Sequence, residues 1–261
     1  MSQLAKKPAR APSQKPYQLI CGDALDKSLL PPNSMDLLVT SPPYNLGMAY
    51  NEKSDDAKPY KDYLDFSRRW LANAFYWTAP TGRLCLNIGL DKNKFGKAPM
   101  CADITTIAMQ EGWKYHATIL WLEGNISRNT AWGSWLSARA PHVIAPVEVI
   151  VVLYKDEWRR ARTGISTIEK DDFMDWVKGM WAFNGESAKR IGHDAPFPRE
   201  LPRRCIKLFS YKDDKVLDPF AGSGTTLIEA LANERQAYGI ELSRQYCALA
   251  DKRLAIECPT N

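Results

Sequence analysis

Residues 216–226 read VLDPFAGSGTT, and this stretch decides the fold. An apolar strand runs into a turn that carries Gly222 and Gly224, and a helical pattern begins at Thr225. Glycines in such a turn let the backbone approach a ligand closely and let the helix start tightly. No lysine follows the last glycine and residue 227 is a leucine, so the turn is neither a P-loop nor a complete dinucleotide fingerprint. The stretch predicts a strand–turn–helix unit that binds a nucleoside and is poorly equipped for a phosphate.

The next predicted strand, residues 236–240, supports this interpretation because it leads into Glu241. A carboxylate at that place can bind the hydroxyls of a ribose, and it would repel a phosphate. With Asp218 at the start of the glycine turn, the pattern points to an adenosine without phosphate, and S-adenosylmethionine is such a ligand. Two simpler interpretations stay open: Asp218 could only cap the turn, and Glu241 could be a solvated strand end.

A second motif, TSPPYN at residues 40–45, follows an apolar strand at residues 35–39. Its two consecutive prolines cannot continue a strand ladder, because neither has an N–H group to donate. The strand therefore ends in a rigid turn, which holds the Ser41 hydroxyl on one side and the Tyr44 ring on the other.

Strand and helix patterns alternate along the rest of the chain. The predicted strands are 17–21, 35–39, 83–88, 118–122, 147–154, 215–217 and 236–240, and the predicted helices are 23–30, 60–77, 102–110, 201–209, 225–233 and 243–257. This alternation favours an α/β fold with a mostly parallel sheet and helices on both faces. Residues 1–16 predict a disordered basic tail, and 17–261 predict one domain with insertions near 123–146 and 156–192.

The amino-acid composition limits the classes of protein to which the chain can belong. The 261 residues are 45% hydrophobic and 25% charged, an ordinary globular balance, and no apolar run is long enough to predict a membrane span. Three histidines and six cysteines without a Cys-x-x-Cys pair predict no metal site and free thiols in a reducing cytoplasm. The net charge of +5 is compatible with a polyanionic partner but does not require one.

Together, TSPPYN and DPFAGSGTT resemble the motifs of DNA amino-methyltransferases, in which an [Asp/Asn/Ser]-Pro-Pro-aromatic tetrapeptide holds an exocyclic amine for methylation by S-adenosylmethionine. The catalytic motif comes first, which resembles the permuted beta group. The resemblance covers most of residues 17–255 and implies a Rossmann-like methyltransferase fold with a circularly permuted, seven-stranded, mostly parallel sheet. It also implies a cytoplasmic prokaryotic or phage enzyme that acts on double-stranded DNA, with a homodimer and a cognate restriction endonuclease as further partners.

The resemblance assigns roles to individual residues. The implied catalytic residues are Ser41, Pro42, Pro43 and Tyr44, and the implied cofactor-binding residues are Asp23, His193, Phe197, Asp218, Phe220, Gly222, Gly224, Thr225 and Glu241. The segment 193–198 resembles the family's His-Pro-x-x-[Phe/Lys]-Pro motif, with Asp194 where proline is usual.

Arginines on the two insertions are candidates for phosphate contacts, although a solvated surface is the simpler interpretation. They are Arg128, Arg139, Arg159, Arg160 and Arg162.

The chemistry explains the tetrapeptide. An exocyclic amine is a poor nucleophile because its lone pair is delocalised into the ring, and acceptors beside its N–H groups localise that pair. The Ser41 hydroxyl and the Pro42 carbonyl could be these acceptors, while Tyr44 stacks on a flipped base.

In this family serine at the first position is associated with the N4 amine of cytosine, and aspartate with the N6 amine of adenine. We expect cytosine, with adenine as the alternative. RNA or protein amide methylation and a catalytically silent DNA- or cofactor-binding module are further alternatives.

Overall fold

The computed structural model describes residues 16–45, 58–92, 97–123, 133–143, 147–160, 162–186 and 198–259. In this part of the chain one sheet contains β1 (Tyr17–Cys21), β2 (Met35–Thr40), β3 (Thr78–Gly89), β4 (Lys114–Glu123), β5 (Glu148–Tyr154), β6 (Met180–Phe183), β7 (Lys215–Asp218) and β8 (Gln236–Glu241). The helices are α1 (Tyr60–Trp77), α2 (Met100–Gln110), α3 (Lys170–Trp176), α4 (Glu200–Phe209), α5 (Thr225–Ala232) and α6 (Arg244–Glu257), with a 3₁₀ turn at Lys27–Leu29. No described helix is both long and apolar enough to span a bilayer.

The strand order, β1-β8-β7-β2-β3-β5-β4-β6, places the last two strands of the chain between the first two. The pairs from β1 through β3 are all parallel, so their carboxyl ends share one edge of the sheet, which we call the carboxyl edge. Strand β5 is antiparallel to β3 and β4. Its first residue, Glu148, therefore lies at the carboxyl edge opposite Gly89, and its last residue, Tyr154, lies at the opposite edge. The α/β class and the mostly parallel sheet are confirmed.

Both faces of the central strands are buried, as their continuous apolar sequences require. In β2, Leu37 and Val39 face α4 and α5, whereas Leu38 faces α1 and α2, and all three side chains are fully buried. Strand β5 alternates in the same way, with Ile150 on one face and Val151 on the other. Each such side chain contributes about 1.5–3 kcal/mol by leaving water. The sheet is thus a rigid base for the loops at its edges.

Two elements differ from the expectation. The sheet has an eighth strand, β6, which pairs with Leu120–Glu123 of β4 and comes from the predicted insertion 156–192. Its four residues are too few to show an alternating pattern. The predicted helix at 23–30 contains only the 3₁₀ turn, because Asp23 and Asp26 use their carboxylates to accept from the backbone N–H two residues on. The predicted tail falls almost wholly outside the described residues.

Candidate functional site

Four chain segments that are distant in sequence meet at the carboxyl edge. Residues 41–44 follow β2, residues 219–224 follow β7, Glu241 ends β8, and Asp23 follows β1. These strands are adjacent and parallel in the order β1-β8-β7-β2. Because ligands of open α/β sheets bind beyond the carboxyl ends of the strands, this arrangement forms the candidate site.

Asp218 connects the two main motifs. Its carboxylate accepts hydrogen bonds from Thr40 Oγ1 at 2.7 Å, Thr226 Oγ1 at 2.7 Å and Phe220 N at 3.0 Å. The side chain is 1% exposed, and burial raises its pKa to about 6 although these hydrogen bonds oppose the rise. Both oxygens are thus engaged within the protein, so any effect of Asp218 on a cofactor would be indirect. The bond from Phe220 N is also the turn cap that the sequence left open.

The glycine turn has the conformation that its glycines permit. Gly222 and Gly224 have φ angles of +50° and +81°, in the left-handed region that favours glycine. The Glu241 carboxylate accepts from Gly222 N at 2.8 Å and from Ser243 N at 2.7 Å, and partial burial raises its pKa. Glu241 is therefore held beside the turn, at the edge where the ribose hydroxyls were expected.

Arg253, on α6, holds the turn from behind and was not singled out from the sequence. Its Nη1 donates to Ser223 O at 2.8 Å, Ser223 Oγ at 3.0 Å and Thr225 Oγ1 at 3.2 Å. Its Nε pairs with Glu257 Oε1 at 3.1 Å. Thr225 thus starts α5 within a fixed turn, while its role in cofactor binding remains a prediction. No sequence signal connects this arginine to a turn thirty residues away.

The side chains at this end of the edge suit a nucleoside. Asp23 is exposed and accepts from Leu25 N at 2.9 Å, and the Phe220 ring lies edge-on to Trp70 with centroids 5.3 Å apart. No lysine or arginine occurs between Asp218 and Thr226 in the sequence. The turn itself contains no basic residue, and the Nη1 of Arg253 behind it already donates to Ser223 and Thr225. Carboxylates after the adjacent strands β1 and β8 therefore fit a neutral diol and an adenine better than a phosphate.

The Ser41–Tyr44 turn is part of a hydrogen-bonded cluster. Ser41 Oγ lies 2.8 Å from Tyr44 OH, and Tyr44 OH donates to Glu148 Oε2 at 2.9 Å. Asn87 Nδ2 donates to Tyr44 OH at 2.8 Å and to Glu148 Oε2 at 2.6 Å. Burial and the Glu148 charge raise the pKa of Tyr44 well above its ordinary value, so the phenol stays protonated.

Neither Asn87 nor Glu148 was predicted as a site residue. Asn87 interrupts the apolar strand LCLNIG, and Glu148 precedes the apolar run VIVVL. A polar residue inside a buried strand was the available signal, but only the antiparallel direction of β5 places Glu148 beside Tyr44.

The turn is also fixed where it ends. Pro42 is buried, and Asn45 has a φ of +56° and is 1% exposed. The Asn45 amide pairs with the backbone of Lys58, donating to Lys58 O at 2.8 Å and accepting from Lys58 N at 2.7 Å. The proline pair, with half-buried Pro43 second, is thus held between a buried strand and this amide contact.

Arg160 has surroundings that do not favour the predicted DNA contact. Its guanidinium pairs with Asp214 Oδ2 at 2.5 Å and Asp36 Oδ1 at 2.8 Å, and its side chain is 7% exposed. Arg162 also pairs with Asp214, at 3.0 Å, although it is largely exposed. These residues and exposed Arg159 follow the end of β5 at the opposite edge, roughly 20 Å from Glu148 at about 3.3 Å per strand residue. The cluster therefore does not border the candidate site.

The remaining predicted site residues are one exposed arginine and three residues outside the described part of the chain. Arg139 is exposed on residues 133–143, which connect β4 to β5 between two strand ends at the carboxyl edge, so its DNA contact stays a prediction. Arg128, His193 and Phe197 lie outside the described residues.

Comparisons with known proteins agree with this arrangement. Residues 35–252 match a family model described as DNA methylase. A type II methyltransferase of Methanocaldococcus jannaschii, M.MjaVI, is 56% identical over 162 residues, which are 62% of this chain and 83% of that protein. M.ScaI, a type II methyltransferase of Streptomyces caespitosus, is 28% identical over 93% of this chain and 84% of its own length.

Solved structures show the same fold. A structure from Thermus thermophilus, named as a DNA modification methylase complexed with S-adenosyl-L-methionine, has a TM-score of 0.74 and 31% identity and covers 94% of this chain and 96% of its own. The PvuII DNA methyltransferase, named as cytosine-N4-specific, has a TM-score of 0.72 with 20% identity and covers 95% of this chain and 89% of its own. At that identity the likeness concerns the fold alone.

Proposed function

This chain belongs to the DNA methylase family of S-adenosylmethionine-dependent methyltransferases that act on N6 or N4 amines, and from that premise we propose that its target is the N4 amine of cytosine in duplex DNA. The observation that carries the proposal is a serine, Ser41, at the first position of the tetrapeptide, with its hydroxyl 2.8 Å from Tyr44 OH. A hydroxyl there matches the pattern associated with cytosine, whereas a carboxylate matches adenine.

The residues of the turn have separate tasks. Ser41 Oγ and the Pro42 carbonyl accept from the two N–H groups of the amine and localise its lone pair. Because Pro42 and Pro43 fix the carbonyl direction, little reorganisation is needed when the amine arrives. The Tyr44 ring stacks on the flipped base, a contact worth about 1–3 kcal/mol.

The other half of the site holds the cofactor. When bound, S-adenosylmethionine supplies an electrophilic methyl group. Glu241 accepts from the ribose hydroxyls, Asp23 contacts the adenine, and Gly222 and Gly224 keep the backbone of the turn free of side chains. Asp218 holds the glycine turn beside residues 41–44, because its carboxylate accepts from Thr40 Oγ1 at 2.7 Å. Transfer then depends on positioning the two reactants.

We also propose partners beyond the duplex. The named relatives are type II methyltransferases, so a restriction endonuclease of the same specificity is the expected companion. A homodimer is a further proposal, which sedimentation of the free enzyme and of its DNA complex tests.

The deciding experiment identifies the methylated base. The enzyme is incubated with S-adenosylmethionine bearing a deuterated methyl group and with several unmethylated DNAs, and the DNA is digested to nucleosides for mass spectrometry. We expect labelled N4-methylcytosine, and we expect none with Ser41→Ala. Labelled N6-methyladenine would reject cytosine while keeping the family activity, and the absence of both products would reject the enzyme function.

A further inference from the structure

The direction of the Ser41 hydroxyl matters for the proposed function, on which this inference rests. An aspartate at the first position of the tetrapeptide would only accept hydrogen bonds, whereas a serine hydroxyl can also donate. If Ser41 pointed its proton at the target amine, it would compete with the N–H groups that it has to bind. Some neighbour must therefore take that proton.

The hydrogen bonds around Tyr44 favour one direction for each proton. The two Nδ2 hydrogens of Asn87 are used by Tyr44 OH and by Glu148 Oε2. The Tyr44 phenol has one hydrogen, which has two acceptors in reach, Glu148 Oε2 at 2.9 Å and Asn87 O at 3.1 Å. The carboxylate is both nearer and charged, and a charge-assisted bond is the stronger one. The Tyr44 oxygen is then left to accept the proton of Ser41, 2.8 Å away.

The orientation of the Asn87 amide supports this arrangement. Asn87 is 1% exposed, and among the described residues its Oδ1 has no hydrogen-bond partner. Turning the amide over would place Oδ1 against the Glu148 carboxylate, where two acceptors would repel each other. The buried unpaired oxygen carries a free-energy cost. That cost is tolerated because both amide hydrogens are directed to Tyr44 and Glu148.

We propose that Glu148 is a positioning residue that fixes the direction of the Ser41 hydroxyl through Tyr44, so that Ser41 presents only lone pairs to the target amine. Glu148 takes the phenol proton, the phenol oxygen takes the serine proton, and the serine oxygen faces the site as an acceptor. Where the motif has an aspartate at its first position, the carboxylate can accept from the amine directly. In this chain the carboxylate is Glu148, and it acts on Ser41 through two hydrogen bonds, by way of Tyr44.

The test measures the single-turnover rate of methyl transfer to DNA at saturating cofactor and DNA. The variants are Glu148→Gln, Glu148→Leu, Tyr44→Phe and the Tyr44→Phe/Glu148→Leu double variant. Exposed Glu157, at the opposite edge of the sheet, provides the control Glu157→Leu. Cofactor Kd and Tm are measured for each protein, so that a folding defect is separated from a change in the rate.

We expect Glu148→Leu to lower the rate about tenfold and to leave the cofactor Kd within twofold, because the neutral Asn87 O at 3.1 Å holds the phenol proton less firmly than the carboxylate does. Glu148→Gln keeps an acceptor oxygen for the phenol, so its loss is smaller. In the Tyr44→Phe background, Glu148→Leu lowers the rate by less than twofold further, because the phenol that transmits its effect is gone. A residue that only supported the strand would lower the rate equally in both backgrounds.

Several results overturn the inference. One is a wild-type rate for Glu148→Leu, and another is additive losses in the double variant. A third is a Tyr44→Phe variant without detectable transfer, because the Ser41 hydroxyl of that variant can still rotate to accept from the amine. If Glu148→Leu does not fold, Glu148→Gln takes its place in both backgrounds and the same criterion of additivity decides. A wild-type enzyme that transfers no methyl group to DNA rejects the proposed function together with this inference, whereas an active enzyme indifferent to Glu148 rejects this inference alone.

Discussion

Substitution of Asp218 by asparagine should change how the stability of the protein depends on pH. The carboxyl is 1% exposed, and its pKa rises from the ordinary 3.8 to about 6 because burial outweighs three hydrogen bonds, with the charge of Glu241 adding to the rise. The folded state then holds this proton more tightly than the unfolded chain. The contribution of Asp218 to stability must therefore fall as the pH rises from about 4 to about 6, and stay level above that range.

The magnitude follows from the two pKa values. At about 1.36 kcal/mol for each pKa unit, ionising Asp218 in the folded state costs about 3 kcal/mol at neutral pH. About 2 kcal/mol of this change falls between pH 4.5 and 7.5. Asp218→Asn cannot ionise and lacks this slope. It keeps an oxygen for Thr40 and Phe220, and the Thr226 hydroxyl can rotate to accept, so its own cost is about 1 kcal/mol and does not depend on pH.

The assay is urea unfolding of wild type and Asp218→Asn at four pH values from 4.5 to 7.5 and constant ionic strength. The free energy of unfolding of wild type minus that of the variant should decrease by about 2 kcal/mol across this range. A difference that stays constant over this range would refute the reasoning, because it would show that the pKa of the folded carboxyl is not raised: a carboxyl with an ordinary or a lowered pKa is already largely ionised at pH 4.5.

Further substitutions test the remaining assignments. Glu241→Ala should weaken cofactor binding about ten- to a hundredfold, since one charged hydrogen-bond acceptor is worth about 1.5–3 kcal/mol, and an unchanged calorimetric Kd would contradict its ribose role. Gly224→Ala should lower the free energy of unfolding by about 1–2 kcal/mol, because a Cβ at φ +81° is strained; a variant as stable as wild type in urea would argue against this turn geometry. Arg160→Met should cost about 3 kcal/mol by leaving buried Asp214 without its strongest partner, whereas exposed Arg159→Met should be neutral within about 0.5 kcal/mol. Neither arginine variant should change DNA affinity in a gel-shift titration, and a loss with both would place DNA at the opposite edge.

Much of the site could be predicted because it depends on parallel strands. The apolar runs before Ser41 and Asp218 predict buried strands, and parallel neighbours end at the same edge whatever their order in the chain. This is why a permuted order of motifs still brings Ser41 close to the glycine turn. The cofactor roles of Asp23 and Glu241 rest on the resemblance, and their positions at the ends of β1 and β8 are compatible with it.

Other features could not be predicted, since they depend on strand direction. The run VIVVL predicts a buried strand, but nothing in it shows that β5 runs against its neighbours. That direction brings Glu148 to the site and carries Arg159 and Arg160 to the other edge. A cluster of arginines resembles a phosphate contact in sequence, and only the positions of Asp36 and Asp214 show that Arg160 completes a buried ion pair.

Two contacts that the sequence did not predict act on the same serine from opposite sides. Before Ser41, the Thr40 hydroxyl is held by Asp218, which fixes where the turn stands relative to the glycine turn. After it, Tyr44 is held by Glu148, which in our proposal fixes where the hydroxyl points. A carboxylate placed at residue 41 itself would face a phenol oxygen whose proton is already given to Glu148, and two acceptors would then meet without a proton between them. Serine at this position and glutamate at the start of β5 are therefore compatible as a pair, which gives a physical reason why this chain carries a hydroxyl where the motif also allows an aspartate.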